Sequence, residues 1–119
     1  MKAKKSSTGA GASCALETVY FDFNESVLTS NTTELLQKDA TCIKETNKKA
    51  ALFGHADPRG TEEYNLALSD RRAQSVKKYL ENLGVKNRLL RAVPKGKTEA
   101  KGTDEATWAK DRRVDVQWD

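Results

Sequence analysis

The chain has 119 residues, 32% of them charged, a formal net charge of +4 and a mean hydropathy of −0.75. That length suits one small domain with a single core, and no stretch approaches the roughly 18 apolar residues of a membrane span. Nor does the charge mark a nucleic-acid binder. Lys2, Lys4 and Lys5 lie without an acid between Met1 and Ser13, and setting them aside brings 21 basic residues almost level with 17 acidic ones. A phosphate-binding surface needs a clustered basic stripe on the fold itself.

Residues 1–13, MKAKKSSTGAGAS, are rich in Gly, Ala and Ser without apolar periodicity and read as a disordered leader or linker. They lack the apolar core of a secretory signal, so any export signal or lipid-bearing cysteine of an exported natural protein is expected to be removed or replaced here. From Thr18 to Phe23 the chain alternates, with Val19, Phe21 and Phe23 on one face and Tyr20 and Asp22 on the other, a half-buried strand. A helix follows from Thr29 to Asn47, marked by Leu35, Leu36, Cys42 and Ile43 and capped by Ser30 or Asn31. Cys14, just before the first strand, and Cys42 in this helix have two readings. They either staple the strand edge to the helix or remain two reduced, partly buried thiols.

The second strand spans roughly Lys49 to His55, and a loop with Asp57, Pro58 and Gly60 leads into a long helix. Leu66, Ala73, Val76, Leu80 and Leu83 mark its apolar face. Asn65, Ser69 and Arg72 fall roughly 100° away, on a face expected to look out of the core. Gly84 closes the helix at the usual left-handed position. A third strand runs from Arg88 to Val93, followed by a Lys- and Gly-rich loop with a short turn near Glu105 to Lys110. The last strand, Arg113 to Trp118, alternates again. The order β-α-β-α-β-β predicts an α+β two-layer sandwich, a small four-stranded sheet with two main helices on one face.

Asp57 at the strand exit and Arg72 on the helix suggest a site for a small zwitterion. The carboxylate accepts from an ammonium, and the guanidinium grips a carboxylate with two prongs. The plainer alternative has Asp57 capping a turn and Arg72 pairing with Glu62, Asp70 or solvent. Arg72 lies about 15 Å along a helix that begins near Glu62, so sharing one ligand requires the loop to fold back. His55 is the single histidine and has no Ser or Cys nucleophile to serve, which favours a structural hydrogen bond. One His and two distant cysteines make no zinc set, and Pro58-Arg59-Gly60 is no phosphate loop. The sequence therefore predicts a binding module, not an enzyme, without metal or cofactor.

Gly54-His55-Ala56-Asp57, Gly60, Tyr64-Asn65, Leu68-Ser69 and Arg72-Ala73 resemble the central motif of the OmpA-like C-terminal domain, most closely its lipoprotein branch. Phe21-Asp22-Phe23 is similar to that family's opening strand. Asp111-Arg112-Arg113-Val114 resembles its closing motif, with Asp111 where Asn is usual. The likeness runs from Leu16 to Gln117 and assigns residues 14–119 to the domain. It implies a mixed sheet with the last strand beside the third, and non-catalytic binding of peptidoglycan through the diaminopimelate of the stem peptide. In that picture Asp57 and Arg72 hold the ligand's amino and carboxylate groups. Phe23, Asn24, Thr61, Asn65 and Leu68 line the pocket, although Phe23 could be plain core and Asn65 a brace for the loop. The resemblance also favours the Cys14–Cys42 disulfide and a place in the periplasm, and a monomer is expected because Tyr20 and the two tryptophans make no evident exposed stripe. Its association with the outer membrane would come through a lipid anchor absent from this chain. The alternative it carries is an interaction domain for an envelope protein of the Tol type.

Overall fold

The structure, a computed structural model, describes residues 14–119; the expected leader, residues 1–13, lies outside them. The elements are β1 (Val19–Tyr20), α1 (Ser30–Thr46), β2 (Ala50–Gly54), α2 (Glu62–Asn82), β3 (Leu90–Pro94), α3 (Glu105–Asp111) and β4 (Arg113–Trp118). A 3₁₀ turn, Asn87–Leu89, precedes β3. They form a mixed four-stranded sheet in an α+β fold, in the order β1-β4-β2-β3. The strands β2 and β3 are parallel, joined across α2, and β4 runs antiparallel to both β1 and β2.

Leu36, Ala40 and Ile43 of α1 meet Ala73, Val76 and Leu80 of α2 in one cluster with Val19, Leu52, Val114 and Val116. Both long helices therefore cover the same sheet face. The opposite face carries Phe53, His55, Asp115 and Gln117 around a shallow hollow.

The position of β4 corrects the expectation that it lies beside β3; it sits between β1 and β2. Alternation fixes which face of a strand is buried but says nothing about its neighbours. The first strand is also shorter than its pattern. Asn24 adopts φ 59°, a left-handed conformation that Asn tolerates better than most residues, and the Glu25 N–H donates to the Asp22 carbonyl at 3.0 Å. This turn swings Phe23 off the face shared by Val19 and Phe21, leaving it 49% exposed.

The cap of α1 is one residue earlier than expected, with Thr29 Oγ1 accepting from the Thr32 N–H. The faces of α2 need a larger correction. Leu66 is 49% exposed, whereas Asn65, Ser69 and Arg72 are buried. The polar face turns inward because the end of β2 lies against it. A Cβ on Gly54 would overlap the Ser69 carbonyl oxygen, so only glycine lets the helix lie this close to the strand. Gly84, at φ +103°, ends α2 at the left-handed position its sequence predicts.

Cys14 and Cys42 are disulfide-bonded, with Cα atoms 5.8 Å apart and a sequence separation of 28. A loop of that size stabilises a fold by about 3 kcal/mol. The bond holds the segment before β1 on α1, where the Glu17 N–H also donates to Asp39 Oδ1 at 2.8 Å. Trp118 Nε1 closes the other side by donating to the Cys14 carbonyl at 3.3 Å.

Asp39 is fully buried, and its Oδ2 has no partner among the described residues. Burial pushes its carboxyl from the ordinary 3.8 up to about 7, against the pull of the Glu17 N–H, while the Glu17 charge adds to the rise. The folded protein thus holds a proton that the unfolded chain releases, and stability falls as pH rises from about 4 to about 7. Asp39→Asn removes that slope and is more stable than wild type at pH 8, as urea midpoints across this range will show. Gly54→Ala destabilises the fold by about 2 kcal/mol or more, read from denaturant unfolding.

Candidate functional site

At the end of the sheet where β2 leaves the core, a cleft of about 370 Å³ opens between the Phe23–Asn24 turn, the loop after β2 and the first turns of α2. That volume fits a small-molecule fragment. Phe23, Asn24, Asp57, Arg59, Gly60, Tyr64, Asn65, Leu68 and Arg72 line it. The loop does fold back over the helix, and Asp57 and Arg72 reach one cavity.

Arg72 organises the cleft from below. Its side chain is 0% exposed. Nε donates to the Glu25 carbonyl at 2.8 Å, Nη2 to the Asp22 carbonyl at 3.0 Å and Nη1 to the His55 carbonyl at 2.9 Å. One guanidinium thus joins the first turn to the exit of β2, with the Phe21 ring beneath it at 5.4 Å. Burial lowers its pKa to about 10, Arg112 adding to the effect and Asp57 opposing it, so it stays protonated at neutral pH. The three carbonyls leave one N–H on each terminal nitrogen uncommitted. Neither an acidic neighbour nor solvent takes the group, as the plainer sequence alternative had it.

Asp57 is 4% exposed. Its Oδ1 accepts from the Arg59 N–H at 3.1 Å, closing the turn that Asp favours in loops. The Arg59 side chain completes a two-pronged pair, Nε to Oδ1 at 3.2 Å and Nη2 to Oδ2 at 2.8 Å. Arg112 Nη1 stands 3.7 Å from Oδ2 on the other side. Burial would raise the Asp57 carboxyl, but the Arg59 bonds and the two nearby positive charges hold it below the usual carboxylate range. It is therefore ionised at neutral pH.

The remaining predicted residues fall at the rim or in the walls. Asn65 does both jobs proposed for it. It lines the cleft, and its Nδ2 donates to the carbonyls of Arg59 at 2.7 Å and Thr61 at 3.0 Å, bracing the loop. Leu68 forms an apolar wall, 3% exposed. Asn24 accepts from the Tyr64 hydroxyl at 2.8 Å, which ties the first turn to α2. Thr61 caps α2, its Oγ1 accepting from the Tyr64 N–H, and stands beside the cleft outside its lining. His55 lies behind it, buried, with Nε2 3.2 Å from Asp115 Oδ2. Among the described residues no cluster of His, Cys, Asp or Glu could hold a metal ion.

Sequence reasoning overlooked Arg59, Arg112 and Trp108. Arg59 lies between the Phe23 and Trp108 rings, its guanidinium carbon 4.0 Å from each centroid. Arg112 is 6% exposed and donates to the Phe21 carbonyl at 2.9 Å and to Glu105 Oε2 at 3.0 Å. An Asp-x-Arg spacing in a loop after a strand was the available signal for the first, and the closing motif for the second.

A model of the OmpA family matches residues 20–114, from the end of β1 to the start of β4 and across the whole cleft. The chain belongs to the OmpA family. It is 40% identical over 105 residues to the peptidoglycan-associated lipoprotein of Pseudomonas aeruginosa, a match covering 87% of this chain and 62% of that protein. Identity to the same-named protein of Pseudomonas putida is 38%, covering 87% and 63%. The chain thus spans about three fifths of these curated relatives' length. The crystal structure of the peptidoglycan-associated lipoprotein from Burkholderia pseudomallei superposes with a TM-score of 0.81 at 40% identity, covering 86% of this chain and 89% of that one. The C-terminal domain of Helicobacter pylori MotB shares the fold at TM-score 0.80 and 18% identity, covering 88% and 85%.

Arg72→Ala strands three buried carbonyls and lowers stability by about 3 kcal/mol or more. Arg72→Lys recovers only part of the loss, because one ammonium cannot span all three. Denaturant unfolding of the pair checks this.

Proposed function

We propose that this domain binds peptidoglycan without catalysis, through the diaminopimelate of the stem peptide, and anchors the outer membrane to the cell wall from the periplasm. The observation that carries the reading is the cleft that brings an ionised Asp57 and the Arg72 guanidinium together at the end of β2. Asp57 accepts from the ligand's ammonium, and Arg72, with one N–H on each terminal nitrogen uncommitted, is the guanidinium assigned to its carboxylate. Leu68 and Phe23 pack on the methylene chain between the two ends, and Asn65 holds the loop in place. The names of the similar lipoproteins support peptidoglycan as the target, and the family match agrees with it.

Calorimetric titration tests the reading. The domain binds a diaminopimelate-containing stem peptide and binds its lysine-containing counterpart at least about tenfold more weakly, since lysine lacks the second charge-assisted carboxylate contact. Asp57→Asn loses binding while remaining folded, a cleaner probe than a change at Arg72. Because the Asp57 carboxyl is held below the usual range, wild-type binding persists unchanged from pH 7 down through the ordinary carboxylate range. No binding by the folded wild type contradicts the reading and leaves a Tol-type envelope protein as the partner to test.

A further inference from the structure

The charges of residues 14–119 almost balance in sequence but not in space. Lys44, Lys48, Lys49, Lys86, Arg88 and Arg91 are exposed, and contacts among the α1–β2 turn, the α2–β3 connection and the end of β4 gather them at one pole. Lys44 Nζ donates to the Leu83 carbonyl at 2.8 Å, and Arg88 Nη2 to Asn47 Oδ1 at 3.5 Å. The Asp119 N–H donates to the Lys49 carbonyl at 2.9 Å, and its carboxylate takes the Arg91 guanidinium. Glu45 and Asp119 are the acids that accompany these cations, while Lys77 and Glu81 nearby cancel each other. Of the six, only Arg91 forms an ion pair among the described residues. Lys44 offsets the carbonyl end of α2. Lys48, Lys49, Lys86 and Arg88 lie beyond the last turns of the long helices, where that effect has fallen off.

This pole is the end of the domain away from the cleft. β2 starts here at Ala50 and leaves at Gly54 beside the cleft, and α2 covers about 30 Å between the two ends. The chain also enters the described domain here. Cys14 is bonded to Cys42 of α1, and its carbonyl accepts from Nε1 of Trp118, the residue opposite Ala50 in the sheet. The residues before it add Lys2, Lys4 and Lys5. None of the exposed large apolar side chains, Tyr20, Phe23, Val27, Tyr64 and Leu66, lies on these connecting segments. A protein interface centres on an apolar or aromatic anchor, whereas a layer of anionic headgroups needs only basic charge clustered within a Debye length of it. We propose that the basic pole docks on the surface of a bilayer rich in anionic phospholipid, with the cleft turned away from the membrane. The ammonium and guanidinium groups pair with headgroup phosphates, and both ends of the domain are then occupied at once. The identity of the ligand in the cleft plays no part in this contact.

Cosedimentation of the full chain with vesicles of phosphatidylglycerol and phosphatidylethanolamine, against vesicles of phosphatidylcholine, tests the proposal. Wild type binds the anionic vesicles, loses affinity as salt is raised, and leaves the phosphatidylcholine vesicles alone. Each basic residue near an anionic surface contributes about fivefold, so the triple variant Lys48→Gln, Lys49→Gln, Lys86→Gln loses about a hundredfold. A control with the same loss of charge at exposed positions elsewhere, Arg71→Gln, Lys101→Gln, Lys110→Gln, stays within about threefold of wild type. Thermal melts show that both variants are folded. In wild type, a spin label on the lipid headgroup broadens the amide signals of Lys48, Lys49, Lys86 and Arg88 and spares those of Asp57 and Gly60. Equal losses in the two variants overturn the pole in favour of net charge. Unchanged binding by the pole variant overturns it too, and assigns the contact to Lys2, Lys4 and Lys5. No binding of anionic vesicles by wild type overturns the membrane and leaves an acidic protein as the partner to test. The cell-wall reading stands or falls separately, on the stem-peptide titration.

Discussion

A single buried cation holds the functional end of this domain together. The Arg72 guanidinium joins the Asp22 and Glu25 carbonyls of the first turn to the His55 carbonyl at the end of β2. No backbone ladder links those segments, because β1 stops at Tyr20 and pairs only with β4. Burying an arginine is unfavourable unless its charge and donors are matched. Here three carbonyl dipoles match it and the ionised Asp57 lies close by. The same contacts set the position of Phe23 and Asn24 and, through Tyr64, tie them to α2. The shape of the cleft and the stability of this end of the fold thus rest on one side chain.

Much of this was legible in the residues. Alternation at Val19/Phe21 and Val114/Val116 and the helical spacing of Ala73, Val76 and Leu80 gave the correct elements and core. Asp57 and Arg72 were singled out together, and they share a cavity. The errors have physical causes. The polar face of α2 was expected to face solvent because periodicity counts apolar residues, whereas Asn65, Ser69 and Arg72 are buried by satisfying backbone groups of other elements. Phe23 was assigned to a buried face because a left-handed Asn cannot be seen in a pattern of alternation. The neighbour of β4 was taken from the resemblance and was wrong; the pleat itself encodes faces and not strand order.

The cleft's charge arrangement follows from the same burial. Asp57 is the acid at its centre, with Arg59, Arg72 and Arg112 around it. Arg112 is partly offset by Glu105 at the surface. A wall that offers both carboxylate and guanidinium suits a ligand that brings an ammonium and a carboxylate. In the proposed complex both charged ends of the ligand would exchange water for fixed partners, with Leu68 and the Phe23 ring against the apolar part. At the far end of the molecule, the Cys14–Cys42 bond and the Asp39 contact hold the segment before β1 on α1, so the site and the chain's entry point are secured by separate means.

The most direct test of the central claim is amide and guanidinium NMR of the domain during addition of a diaminopimelate-containing stem peptide. The account predicts shifts confined to the Phe23–Asn24 turn, Asp57 to Gly60, Asn65, Leu68 and the Nε–H signals of Arg59 and Arg72. Arg72 Nε–H should stay protected from solvent exchange throughout, because its bond to the Glu25 carbonyl persists in the complex. Shifts on the outer face of α1 with none around Asp57, or loss of Arg72 Nε–H protection on binding, would contradict it.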